Sequence, residues 1–184
     1  MEIKITTKQI LYVLNILTWI IFVGLCIDAG GVLSNTLYSL LYNPLAAAHF
    51  WYEIDLSSLL DYDKGYFITE TILMSIVAVM KATLFYLIIK IVHDNKVDFI
   101  KPFNIEMQHF VSNVSYLALG IGLFSSWGQN YTKWLVEKGI AMPDIQSLRL
   151  GGADVWLFMG ITLLIIAQIF KRGVEIQSEN ELTI

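Results

Sequence analysis

Residues 68–92 form an apolar run long enough to cross a bilayer, and one ammonium, Lys81, sits inside it. A helix needs about 20 residues at 1.5 Å rise to cross a hydrocarbon core of about 30 Å. A lysine near the centre of such a span costs roughly 2.5 kcal/mol or more unless it finds a partner or reaches the interface. The run therefore does not read as a lone helix surrounded by lipid, and it requires other polypeptide beside it. The sequence supplies that polypeptide in three further apolar runs, 10–27, 110–124 and 155–170. The last two reach spanning length only with flanking residues 106–109, 125–127, Asp154 and Lys171 near the headgroups. The chain thus predicts four membrane helices, over about 9–29, 70–92, 106–126 and 154–172.

Composition agrees. Of 184 residues 56% are hydrophobic and 15% charged, and the mean hydropathy is +0.62, whereas soluble domains carry about 25% charged residues. An ordinary cytosolic globule is excluded. Lys4 and Lys8 precede the first run in the manner of a signal peptide, but residues 10–27 exceed the usual length of such a core and lack a clear small-x-small cleavage site, so the run is expected to remain as a span. The single cysteine, Cys26, can form no intrachain disulfide, which removes the four-helix thiol–quinone oxidoreductases.

Orientation follows lysine and arginine near the helix ends. With the N-terminus inside, seven of them (Lys4, Lys8, Lys90, Lys96, Lys101, Lys171 and Arg172) lie in the cytoplasm and four (Lys64, Lys133, Lys138 and Arg149) outside. The expected fold is an all-α integral membrane four-helix bundle, a single domain over 1–184, with both termini cytoplasmic, two sizeable outer loops and a cytoplasmic tail over 173–184. The expected location is the bacterial cytoplasmic membrane, and a homo-oligomer is compatible with it.

Along the chain, Thr6 or Thr7 suits the N-cap of the first helix, which carries Asn15, Thr18 and Trp19 and meets Asp28, Gly30 and Gly31 at its far end. In the first outer loop, 34–67, Leu37, Tyr38, Leu41, Tyr42 and Leu45 recur at helical spacing, which predicts a short interfacial helix up to the break at Pro44. Residues 50–57 then alternate with a strand-like period of two. Asn104 suits the cap of the third helix, Glu106 falls in its first turn, and Gly120 and Gly122 permit close packing against a neighbour. The second outer loop, 126–153, offers Tyr131, Trp134, Leu135 and Lys138 at helical spacing, and Asp154 suits the cap of the fourth helix.

Counting along the runs places Lys81 near mid-membrane, with Asp28 too far outward to be its direct partner. Thr18, Ser115 and Tyr116 fall at its level, and Asn15 and Asn113 one turn nearer the cytoplasm. Two readings stand. These residues form an intramembrane polar cluster that binds a ligand headgroup or an ion, or Lys81 is structural, hydrogen-bonded between helices or snorkelling to the interface. His49, His93 and His109 share no ligand spacing on one helix face, and Glu53, Asp55, Asp61 and Asp63 lack the glycine and terminal glutamate of a calcium loop. No metal and no cofactor are expected. The sequence carries no Gly-x-Ser-x-Gly, phosphate-binding lysine motif or dinucleotide fingerprint, so an enzyme is not expected.

Lys101-Pro102-Phe103-Asn104, then Ser115-Tyr116, and above all the ending Ile169-Phe170-Lys171-Arg172-Gly173-Val174-Glu175-Ile176-Gln177-Ser178-Glu179-Asn180-Glu181-Leu182-Thr183-Ile184 resemble the bacterial membrane proteins grouped as domain of unknown function 2975 (DUF2975). The resemblance implies a four-helix membrane protein whose partner is a small cytoplasmic helix-turn-helix regulator, without direct nucleic-acid binding by the chain itself. It supplies no catalytic or binding residues. The tail fits a contact surface in its own right, with Glu175, Gln177, Glu179, Asn180, Glu181 and Leu182 as the expected partner-binding residues: acids steer a basic partner, and apolar side chains anchor it. The expected function is a non-enzymatic regulatory or sensory membrane component. A small transporter, channel or lipophilic-ligand binder built around Lys81 is the alternative.

Overall fold

The computed structural model describes residues 7–93 and 103–181. Lys4, Thr6, Lys96, Lys101, Pro102, Leu182 and Ile184 lie outside the described residues. The chain folds as α1 (Thr7–Leu41), two 3₁₀ turns (Pro44–His49 and Trp51–Glu53), the short α2 (Ser57–Tyr62), then α3 (Lys64–His93), α4 (Ile105–Glu137) and α5 (Ala153–Glu181). The four long helices are each long and apolar enough to cross a membrane. They pack in chain order as antiparallel neighbours, α1 on α3, α3 on α4 and α4 on α5, and the last pair is the most extensive. Both chain ends therefore fall at one end of the assembly, here termed the terminal end, and loops 42–63 and 138–152 at the other, the loop end.

The helices overrun the predicted spans at the loop end. Leu37, Tyr38 and Leu41 belong to α1 itself and not to a separate interfacial helix, which shortens the first loop to 42–63. The helix gives way where Asn43 turns extended and its side chain accepts the Leu45 N–H at 3.1 Å, with Pro44 opening the next turn. Tyr131, Trp134 and Leu135 likewise extend α4, which closes at Lys138 and Gly139, the latter at φ 84°. The alternation over 50–57 is not a strand, and none occurs among the described residues. Tyr52 and Glu53 both adopt φ 58°, the chain doubles back, and one antiparallel bridge joins Phe50 to Ile54. Phe50, Ile54 and Leu56 are buried because the turn folds onto itself, so the period of two reports an inside and an outside with no partner strand. At the terminal end Asn104 caps α4 as expected, its Oδ1 accepting the Met107 N–H at 2.7 Å. Asp154, expected as a cap, lies instead in the first turn of α5, where the helix dipole favours an acid. The Gly152 carbonyl, on a residue at φ 75°, accepts the Trp156 N–H that opens the helix.

Close approach of α4 and α5 rests on glycines at matched depth. A Cβ added at Gly122 would stand 2.9 Å from the Leu157 backbone nitrogen, and one at Gly160 would stand 2.8 Å from that of Leu119. Gly120 receives the end of Met80 from α3. With neighbouring lipid as apolar as leucine, such contacts are what association of helices relies on.

Burial divides the molecule into two parts. Along α1 and α5 large apolar side chains such as Ile20, Val155, Phe158, Ile165 and Ile169 are exposed, as befits helices whose solvent is hydrocarbon. At the loop end Phe50, Leu56, Leu59, Phe67, Leu135, Leu148 and Leu150 are fully buried and form a globular cap. Within that cap the fully buried Glu70 of α3 accepts a hydrogen bond from the Thr132 hydroxyl of α4 at 2.8 Å, pinning the α3–α4 seam.

Overpacking a close seam costs about 1–3 kcal/mol. Gly160→Leu and Gly122→Leu should therefore each lower the melting temperature in detergent by several degrees, while an isosteric change on the lipid-facing side, Ile165→Leu, leaves it unchanged. Thermal unfolding followed by circular dichroism measures the difference.

Candidate functional site at the capped end

The two loops are tied to the helices through charged residues of the spans. Trp51 lays its indole against Gly31 of α1, a position where any Cβ would collide with the ring. Its Nε1 donates to the Asp28 Oδ1 at 3.2 Å. The second loop is tied in the converse sense: Lys81 Nζ donates to the Arg149 carbonyl at 3.0 Å and lies 5.9 Å from the centre of the Trp156 ring. Arg149 adopts φ 61°, a left-handed conformation that is costly for a residue with a Cβ. Its guanidinium stacks on the Tyr52 ring at 4.9 Å, and so clips the second loop to the first. Asp28, Trp51, Tyr52, Arg149 and Lys81 thus form a ring of contacts. Asp28, Lys81 and Arg149 also line a small cavity of about 100 Å³, with Leu25, Val32, Met74, Ala78 and Leu148.

Lys81 is accordingly tied to the loop end by its hydrogen bond to Arg149. On α4, Gly122 meets Leu157 and Gly128 meets Leu150, so the start of α5 lies level with the stretch between those glycines. Met80 meets Gly120, and Glu70 meets Thr132, which carries that level to the region of Met74 on α3. Lys81 lies about two turns, roughly 10 Å, inside it. Its flexible side chain spans most of that distance to the carbonyl offered by the loop, which is the snorkelling reading with a protein acceptor in place of water. Asp28, expected too far outward to meet Lys81, lines the same cavity, because α1 and α3 both continue beyond the apolar runs.

The other residues of the expected cluster do not gather around Lys81. Thr18 donates to the Leu14 carbonyl at 2.7 Å and Ser115 to the Ser112 carbonyl at 2.7 Å, each within its own helix. Tyr116 is 60% exposed on the apolar surface. Asn113 lines a groove of about 190 Å³ near the terminal end with Lys90, Glu106 and His109. Asn15 has its Oδ1 buried without a hydrogen-bond partner among the described residues. In the tail, Arg172 donates to Glu175 at 3.0 Å, Gln177 is half-buried and Glu179 exposed, while the side chains of Asn180 and Glu181, and Leu182 altogether, lie outside the described residues.

Above the ring the two loops enclose a cleft of about 710 Å³, with Glu53 and Asp55 on the wall of the first loop and Met142, Pro143 and Arg149 on that of the second. Asp55 is pre-set: its Oδ1 accepts from the Ser57 hydroxyl at 2.6 Å and the Ser57 N–H at 2.9 Å, and these bonds hold its carboxyl below the usual carboxylate range. Sequence reasoning treated Arg149 only as a topology charge and passed over Glu70. Arg149 gave no periodic signal, and Glu70 was legible only as an acid directly ahead of an apolar run.

No family model, curated protein or solved structure matches the chain. What fold and site define is a class: an all-helical, multi-pass membrane protein whose loop end is closed by two mutually clipped loops.

A hydrogen bond to a charged group is worth about 1.5–3 kcal/mol. Lys81→Met should therefore release the second loop and speed tryptic cleavage after Arg149 about tenfold or more, with helix content unchanged. Equal cleavage rates would show that the ammonium does not hold the loop. The Asp55 turn has its own signature. A depressed carboxyl pKa gives stability that is complete above about pH 4, and this stability is lost as the pH falls through the lowered value. Hydrogen exchange of the Ser57 amide, corrected for its intrinsic rate, should accelerate across that acid window in the native protein, and Asp55→Ala should abolish the pH dependence.

Proposed function

We propose that the chain is a non-enzymatic sensory or regulatory component of the bacterial cytoplasmic membrane, with the capped loop end outside and both termini in the cytoplasm. In this reading the loops receive a signal, and α5 delivers it to a cytoplasmic partner, a helix-turn-helix regulator of the kind that the DUF2975 resemblance implies. The observation that carries it is continuity: the loop held by Lys81 runs directly into α5, which is unbroken from Ala153 to Glu181. A rod of 29 residues is about 43 Å long, and a rigid helix carries a tilt or rotation imposed at one end to the other as one body.

Gly173, which lowers helix propensity by about 1 kcal/mol, does not interrupt α5, because the Phe103 ring packs onto it in the space that a side chain would fill. The ring also meets Phe170 at 5.4 Å between centroids. The polar turns beyond Lys171 are therefore an extension of the rod. A single ammonium–carbonyl bond is also the right size of restraint, since coupling free energies between sites are typically about 1–3 kcal/mol.

Deleting residues 174–184 should leave membrane insertion intact and abolish co-purification of the helix-turn-helix regulator from membranes. Cysteines at Lys64 and Lys133 in a Cys26→Ala background should react with an impermeant maleimide in intact cells, and a cysteine at Lys96 should not. Retention of the same partners and phenotype by the truncated protein would overturn the regulatory reading, and labelling at Lys96 would invert the orientation.

A further inference from the structure

The cleft between the loops is lined by charges of both signs, acids from the first loop and a guanidinium from the second. Glu53 follows Tyr52 in the left-handed region, and its carboxylate has no hydrogen-bond or ion-pair partner among the described residues. Asp55 beside it is fixed by Ser57. From the second loop, Arg149 sets its guanidinium 4.9 Å from the centre of the Tyr52 ring and has no carboxylate partner among the described residues. Met142 and Pro143 add apolar surface to the lining. A volume of about 710 Å³ falls in the range of small-molecule sites, about 300–1,000 Å³.

A purely anionic ligand would meet two acids there, and a purely cationic one would meet the guanidinium. A molecule bearing both charges satisfies both walls, and charge-assisted hydrogen bonds at each end would fix its direction. We infer that the cleft binds a small zwitterion of amino-acid or dipeptide size, with its ammonium on Glu53 and Asp55, its carboxylate on Arg149, and its apolar portion on Met142 and Pro143. The inference rests on the sensory reading for its consequence, since the residue that takes the carboxylate is the one whose carbonyl holds Lys81. The binding itself does not depend on that reading.

The test uses the full chain in phosphatidylcholine nanodiscs, titrated calorimetrically with each of the twenty common amino acids and with Ala-Ala. At least one should bind saturably at or below about 1 mM. N-acetylation of that ligand, or amidation of its carboxylate, should each weaken binding about tenfold or more, the equivalent of about 1.4 kcal/mol. Arg149→Gln should erase the preference for free acid over amide, and the pair Glu53→Gln with Asp55→Asn should erase that for free amine over N-acetyl. Asn at 55 keeps an acceptor for Ser57, and melting curves report whether each variant folds. The capped ligands test the native protein without any variant. Absence of saturable binding by all of these zwitterions, or binding indifferent to both caps, would overturn the inference. Binding that follows this pattern but leaves regulator capture unchanged would keep the site and sink the sensory reading.

Discussion

The hydrogen bond from Lys81 to the Arg149 carbonyl is the contact on which the loop end depends. An ammonium on the inner stretch of a spanning helix needs an acceptor that lipid cannot give. The second loop supplies one by placing Arg149 in a left-handed conformation, which turns backbone strain into an oriented carbonyl. The same residue stacks on Tyr52, Tyr52 adjoins Trp51, and Trp51 reaches Asp28. One half-buried charge from each of α1 and α3 thus organises two loops that share no sheet or disulfide among the described residues.

Much of this architecture is written in hydropathy, and the four long helices, the Asn104 cap and the role of Gly122 follow from local chemistry that a single sequence displays. The ends of the helices were less legible. Amphipathic turns such as 37–41 and 131–135 look alike whether they lie on an interface or continue a helix into a globular cap, because in both cases one face is buried. The alternation at 50–57 misled for a related reason: a turn that folds on itself buries alternate residues just as a strand does. The Lys81–Arg149 pairing, 68 residues apart in sequence, left no local signal at all. The approach of Asp28 to Lys81 was hidden because the helices pass beyond the apolar runs from which their levels are counted.

The glycine contacts between α4 and α5 and the single-bond restraint at Lys81 give the two ends of α5 different mechanical character. Over Gly122 and Gly160 backbones approach so closely that relative movement along the seam is opposed by sterics. At Gly152 and Gly173 the constraints are a turn and an aromatic ring, both softer. A helix gripped close to its loop end and lightly held at its tail pivots there more readily than it slides, which favours swinging or rotation of the tail over piston movement.

The spatial order of the long helices is their order in the chain, α1, α3, α4, α5. During synthesis each helix that enters the membrane therefore finds its neighbour already there, and no later segment has to be inserted between two that have already met. Lys81 is the exception to this orderly growth. Its acceptor lies 68 residues downstream, so α3 must hold an unpartnered ammonium until the second loop has been made. Biogenesis thus has a vulnerable interval, between translation of α3 and closure of the loop, in which a membrane chaperone or quality-control protease would recognise the chain.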